Sequence, residues 1–251
     1  MVEHVSWEVA TAPGRRIGHA VEVHDRIGST NDRARALLAE PGGSGIAVVA
    51  EEQLAGRGRR GRTWSSPPGV NLMLSVGLEP RLAAADAWQL GLAVALAVRD
   101  ACASVTPVAL KWPNDVVAPD GRKLGGILVE TTIDGEALGA AVVGVGINVN
   151  WTVGAMPPEL RGAATSLRDL AGVPLDRVAL LGRLLAALDA EVAGVEAGRS
   201  PLDRYRAACR TLGSDVQVTS PAGSISGRAV DLDASGGLVL ETDAGRVTVA
   251  S

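Results

Sequence analysis

Phenylalanine is absent from this 251-residue chain, and tyrosine occurs once. With aromatics at 2%, the stacking platforms that bind single-stranded nucleic acid have little material to form from. Cysteine occurs twice, at Cys102 and Cys209, far apart, which excludes a disulfide framework and any zinc-ligand spacing. Two reduced cysteines fit a cytoplasmic protein. Long apolar runs are missing as well. The longest, Ala87 to Val98, is broken by Gln89 and stopped by Arg99, whereas a membrane span needs about 20 residues. No basic-then-apolar signal peptide opens the chain. Positive charge is not in excess either: the net charge is −4, which argues against a sequence-specific reader of duplex DNA. Lysine is the scarcest charged residue. Lys111 and Lys123 stand alone among 24 basic residues, the other 22 being arginine. Two isolated lysines mark either chance or positions where a compact ammonium serves better than a planar fork.

What remains is a composition with 47% hydrophobic and 21% charged residues, that of a globular chain of one or two domains. Residues 1–20, with Pro13 and Gly14, form a lead-in too short for a DNA-reading module. Strands are expected at Val21–Val23, Ile46–Ala50, Val70–Leu78 (alternating), Val108–Leu110, Gly126–Ile133 and Leu138–Asn148. Asp134-Gly135 should turn the last two into a hairpin. Helices are expected after Ser29-Thr30-Asn31-Asp32, a set of N-cap side chains; from a capping-box-like Asp86/Gln89 start to about Ala103; from Asp176 to about Glu196; and from Pro201 to Leu212. After Gly213 short strands alternate with turns at Pro221-Ala222-Gly223, Ser235-Gly236-Gly237 and Asp243-Ala244-Gly245, which reads as a small β-barrel docked on the main domain.

Five segments stand out for chemistry. Gly56-Arg57-Gly58-Arg59-Arg60-Gly61-Arg62 combines glycines, which let backbone approach a ligand, with forked donors for phosphate or carboxylate oxygens. It is neither a P-loop nor a dinucleotide fingerprint. Its clustered charge predicts a loop mobile when empty and ordered around an anion. A solvated basic turn or an RNA-binding patch would share the composition. Lys111-Trp112-Pro113-Asn114-Asp115 follows a short strand, where Pro113 should stop the ladder and project Asn114 and Asp115 from the strand end; for the bare pentapeptide a capped turn is the commoner explanation. Lys123-Leu124-Gly125-Gly126 feeds a strand through two glycines, and Gly144-Val145-Gly146-Ile147-Asn148 leaves one through a polar exit. Ser29-Thr30-Asn31 either caps a helix or holds a polar head group. The three histidines, at positions 4, 19 and 24, precede every motif.

In this order the segments resemble the biotin–protein ligases. The shared pattern runs through Gly28–Asn31, Gln53–Trp64, Lys111–Asp115, Lys123–Glu130, Gly144–Asn148 and Ala164-Thr165-Ser166-Leu167, over about residues 21–170. The resemblance implies an α+β fold: a catalytic domain like class II aminoacyl-tRNA synthetases at 1–212, followed by an SH3-like barrel at 213–251. It implies that biotin and ATP, with Mg²⁺, form biotinyl-5'-AMP and pyrophosphate. The biotinyl group then passes to a lysine of a biotin carboxyl carrier domain of a carboxylase, and AMP leaves. By position, Ser29, Thr30, Asn31 and Gln53 would hold the ring of biotin. Gly56, Arg57 and Arg59 would close over biotin and the adenylate phosphate, and Gly126 would border biotin. Trp64, Asn114 and Asn148 would meet the nucleotide, and Lys111 a phosphate. Lys123 would meet the carboxylate and α-phosphate oxygens, and Asp115 the incoming lysine. Members that repress transcription carry an added N-terminal DNA-binding domain. The short lead-in predicts a form without it, with no specific DNA and no membrane partner, acting as a monomer or weak homodimer. Lipoate–protein ligases share the adenylation logic but lack this Arg-Gly loop, and their Arg-Arg-x-Gly-Gly segment is absent here. A non-catalytic RNA-binding protein is the alternative from another class.

Overall fold

The computed structural model describes residues 7–12, 14–220 and 223–250. Position 13 of the lead-in, His4 and the Pro221-Ala222 part of one expected turn lie outside them. Seven strands make one mixed sheet: β1 (Val21–Ile27), β2 (Ala47–Gln53), β3 (Leu72–Leu78), β4 (Ala109–Lys111), β5 (Asp115–Val117), β6 (Lys123–Asp134) and β7 (Ala137–Ile147). Their order is β1-β2-β3-β7-β6-β5-β4. Only β1 and β2 run parallel to each other. The β6–β7 hairpin turns at Asp134-Gly135, with Gly135 at φ 58°.

Side chains alternate across a strand, so each face of the sheet carries its own layer. On one face Ala47, Val49, Leu72, Leu74 and Val76 join the core built on α2 (Ala87–Ala103) and α5 (Arg177–Glu196). On the other face Val48 and Val142 meet Ala34 and Leu37 of α1 (Thr30–Leu37). β3 is therefore buried along its whole length rather than half-exposed, because α1 covers what would have been its wet side. Each large apolar side chain enclosed in these layers contributes about 1.5–3 kcal/mol. The start of α5 is capped by Asp176 Oδ1, which accepts from the Val178 and Ala179 amides at 2.8 and 3.0 Å. Beside it, Arg177 forms a buried ion pair with Glu51 at 2.7 Å.

Several local expectations change. No capping box forms at α2; Gln89 Nε2 donates to the Asp86 side chain at 2.8 Å and Asp86 makes no side-chain cap bond. Ser29 precedes α1 but its side chain caps nothing. The helix after Pro201, α6 (Leu202–Ala208), ends before Leu212 because Cys209 turns extended and bridges Leu110 of β4. Two short helices were not anticipated, α3 (Pro158–Arg161) and α4 (Leu167–Ala171), the second capped by Ser166.

The C-terminal strands β8 (Asp215–Ser220), β9 (Gly223–Leu232), β10 (Leu238–Thr242) and β11 (Gly245–Val249) form a separate antiparallel sheet in the order β11-β10-β9-β8. Within this order β8 and β11 are the edges, so the small β unit takes the form of a four-stranded meander. It is docked as expected: Ala229, Leu232, Leu238, Leu240 and Val249 join the main core. Trp112 Nε1 donates to the Gly236 carbonyl at 3.1 Å, and the Gly213 amide donates to Ala229 O at 2.7 Å.

Candidate active site

The face of the sheet that carries α1 also carries a glycine floor. Gly126 of β6 pairs with Gly146 of β7, and Gly144 of β7 pairs with Leu128 and with Ser75 of β3. Each glycine makes room for a neighbour. A Cβ on Gly144 would stand 2.3 Å from Asn31 Oδ1, and one on Gly146 would stand 2.5 Å from the Trp64 ring. Above this floor lies a cavity of about 380 Å³. Its walls come from α1, the Arg-Gly loop, the β4–β5 hairpin, the start of β6 and, from the other sheet, Val216–Thr219 of β8 with Leu238 of β10.

One end of the cavity is neutral and internally bonded. Gln53 ends β2 beside the start of α1, and its Oε1 accepts from the Thr30 amide at 2.8 Å and from Thr30 Oγ1 at 3.0 Å. The cap that Ser29 does not supply thus comes from Gln53. Ser75 Oγ donates to Asn31 Oδ1 at 2.6 Å and sits 2.7 Å from Thr30 Oγ1, while Asn31 Nδ2 donates to Glu130 at 2.7 Å. Ser29, Thr30 and Asn31 are all buried.

The other end is cationic. Arg59, Arg60, Arg62, Lys111 and Lys123 line the cavity there, with one lining carboxylate, Asp115. Lys123 Nζ donates to Asp115 Oδ1 at 2.6 Å and lies 5.7 Å from the Trp64 ring centre. The backbone of Lys123 is pinned: its amide donates to Ala163 O at 2.8 Å and its carbonyl accepts from Thr165 N at 2.9 Å. The Ala164-Thr165 segment therefore sets where the ammonium starts from. The Arg59 side chain makes no hydrogen bond or ion pair among the described residues; its burial and neighbouring Arg60 depress its pKa, and the charge of Asp115 offsets this only in part. A desolvated cation without a partner favours an anion. Arg57 differs, since Asp32 grips it through both terminal nitrogens at 2.6 and 2.8 Å. Asp32 is thereby held below the ordinary carboxylate range and Arg57 above its usual value.

The Arg-Gly segment is itself a small hairpin. Gly58 N donates to Arg62 O at 2.7 Å and Trp64 N to Gly56 O at 2.9 Å, with Arg60 in the left-handed region at φ 56°. This hairpin itself requires Gly56, because a Cβ there would stand 2.3 Å from the Trp64 carbonyl. At the tip, the Arg60 guanidinium donates to the Thr219 carbonyl of β8.

Lys111-Trp112-Pro113-Asn114-Asp115 ends β4 and takes the turn that is the commoner reading of the pentapeptide. It is the turn of a hairpin, with Lys111 paired to Asp115 across it and a cis Trp112-Pro113 bond within it. The chain reverses there, so β5 continues the sheet and Asn114 is tied to β6: Asn114 Nδ2 donates to Ile127 O at 3.1 Å.

Of the residues singled out by sequence, Ser29, Thr30, Asn31, Gln53, Arg57, Arg59, Trp64, Lys111, Asn114, Asp115, Lys123 and Gly126 share this cavity. Gly56 and Asn148 do not line it. The Asn148 side chain turns into the protein, where Nδ2 donates to Thr165 O and Oδ1 accepts from Asn71, at 3.1 and 3.2 Å. Ser75, Asp32 and Glu130 went unassigned. Ser75 had a signal, as the one hydroxyl in an otherwise apolar Leu72–Leu78 strand. The β8 wall had none, since its place is set by docking.

Comparison with known proteins agrees with this geometry. Residues 23–148 match the biotin/lipoate A/B protein ligase family, and residues 211–251 match the biotin protein ligase C terminal domain. The chain is 39% identical over 240 residues to the biotin–[acetyl-CoA-carboxylase] ligase of Mycobacterium tuberculosis, covering 92% of this chain and 86% of that one. It is 31% identical to the bifunctional ligase/repressor BirA of Bacillus subtilis, covering 91% of this chain and 71% of that one. The biotin protein ligase of Aquifex aeolicus, solved in complex with biotin and ATP, superposes with a TM-score of 0.78 at 30% identity, over 92% of this chain and 96% of that one. Sheet, cleft and both matched regions together place this chain in the biotin protein ligase family.

Proposed function

We propose that the protein joins biotin and ATP into biotinyl-5'-AMP, with pyrophosphate leaving, and then transfers the biotinyl group to a lysine amine, with AMP leaving. The observation that carries this reading is the two-ended cleft: neutral hydrogen-bonding groups at one end, and five cations with one lining carboxylate at the other. Such a cleft suits a molecule with a neutral ring at one end and a phosphate anhydride at the other.

In this reading Ser29, Thr30 and Gln53 read the ring, with Asn31 held behind them, and Gly126 lets the ligand lie on the floor. Lys123 bridges the biotin carboxylate and the α-phosphate, where two anions must be brought together. Arg59 and Lys111 face phosphate oxygens. Trp64 has a buried Nε1 without a partner among the described residues, and it and Asn114 face the nucleotide. Asp115 orients Lys123 and, in the second step, the incoming amine. Mg²⁺ enters with the triphosphate as part of the substrate. Among the described residues no three His, Cys, Asp or Glu side chains gather into a metal site, and Asp115 with phosphate oxygens is the donor set that a hard, hydrated ion accepts. The hairpin 56–64 and the β8 wall exclude water from an anhydride that hydrolyses readily.

The acceptor in this reading is the biotin carboxyl carrier domain of a carboxylase, the class named for the mycobacterial relative. We place the catalytic domain at 1–212 and the barrel at 213–251, in a cytoplasmic enzyme that is a monomer or weak homodimer and binds no specific DNA. No helix among the described residues is long and apolar enough to cross a membrane.

Biotin-dependent ATP–pyrophosphate exchange tests the reading, with lipoate run beside it. Biotin should support exchange and lipoate should be poorer by about a hundredfold or more, because the wrong ring cannot complete the hydrogen bonds that the pre-set groups at residues 29–31 and 53 still offer. Equal rates with both acids overturn the biotin assignment.

A further inference from the structure

Asp32 does not line the cavity, yet it holds the one loop arginine that is fully paired. Arg57 gives Nη1 and Nη2 to the two Asp32 oxygens at 2.8 and 2.6 Å. The pair closes into a ring of four charges. Asp32 also accepts from Arg35 at 3.1 Å, Arg35 reaches Glu130 at 2.9 Å, and Glu130 lies 3.8 Å from Arg57. Two carboxylates and two guanidiniums cancel, so the ring attracts no further anion. Glu130 also accepts from Asn31, which links the ring to the segment at the neutral end of the cleft.

Arg59, two residues away, contrasts with it: its side chain is half-buried, makes no hydrogen bond or ion pair among the described residues, and is disfavoured by burial and by Arg60 more than Asp115 favours it. A guanidinium that grips one carboxylate with both terminal nitrogens cannot at the same time grip a phosphate with them. The two arginines therefore divide the work. Arg57 sits at the base of the hairpin 56–64, beside the Arg57–Thr63 bridge, and its fixed side chain determines where that base can go.

We propose that Asp32 is a positioning residue: through Arg57 it moors the base of the Arg-Gly hairpin to α1, so that the hairpin stays over the cleft and Arg59 is left as its phosphate-facing cation. The proposal rests on the adenylate-forming reading for its chemical consequence, and on geometry alone for the mooring. Loss of the mooring loosens the lid more than it alters the reacting groups, so the adenylate should escape and hydrolyse before transfer.

The experiment uses the full chain carrying Asp32→Asn or Asp32→Glu. The first readout is amide hydrogen exchange across residues 56–64 without any ligand, which needs no enzymatic activity and reads the mooring even if the proposed function fails. Asp32→Asn should speed this exchange about fivefold, the effect of one half-exposed bidentate pair in a network, and Asp32→Glu should restore most of the protection. The second readout is biotin-dependent AMP release without an acceptor. It should rise about fivefold in Asp32→Asn, while pyrophosphate exchange stays within about twofold of the parent. Unchanged exchange of 56–64 in Asp32→Asn overturns the mooring. Faster amide exchange with unchanged or lower AMP release overturns its role in retaining the adenylate. Absence of biotin-dependent exchange in the parent protein overturns the functional reading instead.

Discussion

The two ends of the cleft are built on opposite principles. At the neutral end, Thr30, Asn31, Gln53 and Ser75 are bonded to one another before any ligand arrives. At the cationic end, the side chains of Arg59 and Lys111 make no hydrogen bond or ion pair among the described residues, and that of Lys123 has one partner, Asp115. The difference follows from what each end must do. A neutral ring is recognised by groups already held in place, since small errors in direction leave buried donors unpaired. Anions are recognised by charge withheld from internal pairs, since every ion pair already made must be broken first. Preorganisation and frustration thus lie at opposite ends of one cavity.

The comparison breaks most sharply at Lys123. Lys123→Arg keeps the charge but replaces an ammonium held between Asp115 and the glycine floor with a fork that grips one group. An error of about 1 Å costs around a hundredfold. Pyrophosphate exchange should fall by about that factor with the melting temperature nearly unchanged; near-normal exchange would remove Lys123 from the catalytic set. Gly144→Ala attacks the other end. Its Cβ falls 2.3 Å from Asn31 Oδ1, which forces Asn31 off Ser75. Biotin binding, read by calorimetry, should weaken by about tenfold or more while ATP binding holds, the loss expected for one or two displaced buried hydrogen bonds. Equal weakening of both ligands would mean the ends are not independent.

Arg59→Gln removes an unpaired cation and relieves its burial. The protein should gain slightly in thermal stability while kcat/KM for ATP drops about tenfold, the worth of one charge-assisted bond. A loss of stability would show that Arg59 has a structural partner. The smallest effect comes from salt. Between about 50 and 500 mM, KM for ATP should rise a few-fold and the affinity for biotin should stay flat, because only the cationic end is screened. Parallel curves would erase the distinction.

Much of this was legible in the sequence because the motifs are local. Gly56–Arg62, Lys111–Asp115 and Lys123–Gly126 each carry their chemistry within a few residues, and twelve of the singled-out residues share the cavity. Strand and helix cores followed from apolar periodicity. The rest depended on tertiary pairing. Nothing near Asn148 signals that Asn71 and Thr165 will take its side chain. Nothing in Cys209 tells that it will leave a helix to bridge Leu110. Asp32 looked like a helix-start residue, and only the fold brings Arg57 beside it. A turn at Lys111–Asp115 is among the readings of that segment, but the strand after it was hidden because Asp115-Val116-Val117 is too short to show a strand period.

One wall of the cleft consists of Val216–Thr219 and Leu238, residues that leave the ribosome after every strand of the main sheet. Synthesis proceeds at about 5–20 residues per second, so the nascent chain spends several seconds with its sheet complete and its cleft unwalled. Arg60 has no Thr219 carbonyl to hold in that interval. Any anhydride made then would be lost to water at the cost of an ATP. The order in which the polypeptide is made therefore delays a productive cavity until nearly all of the chain is present.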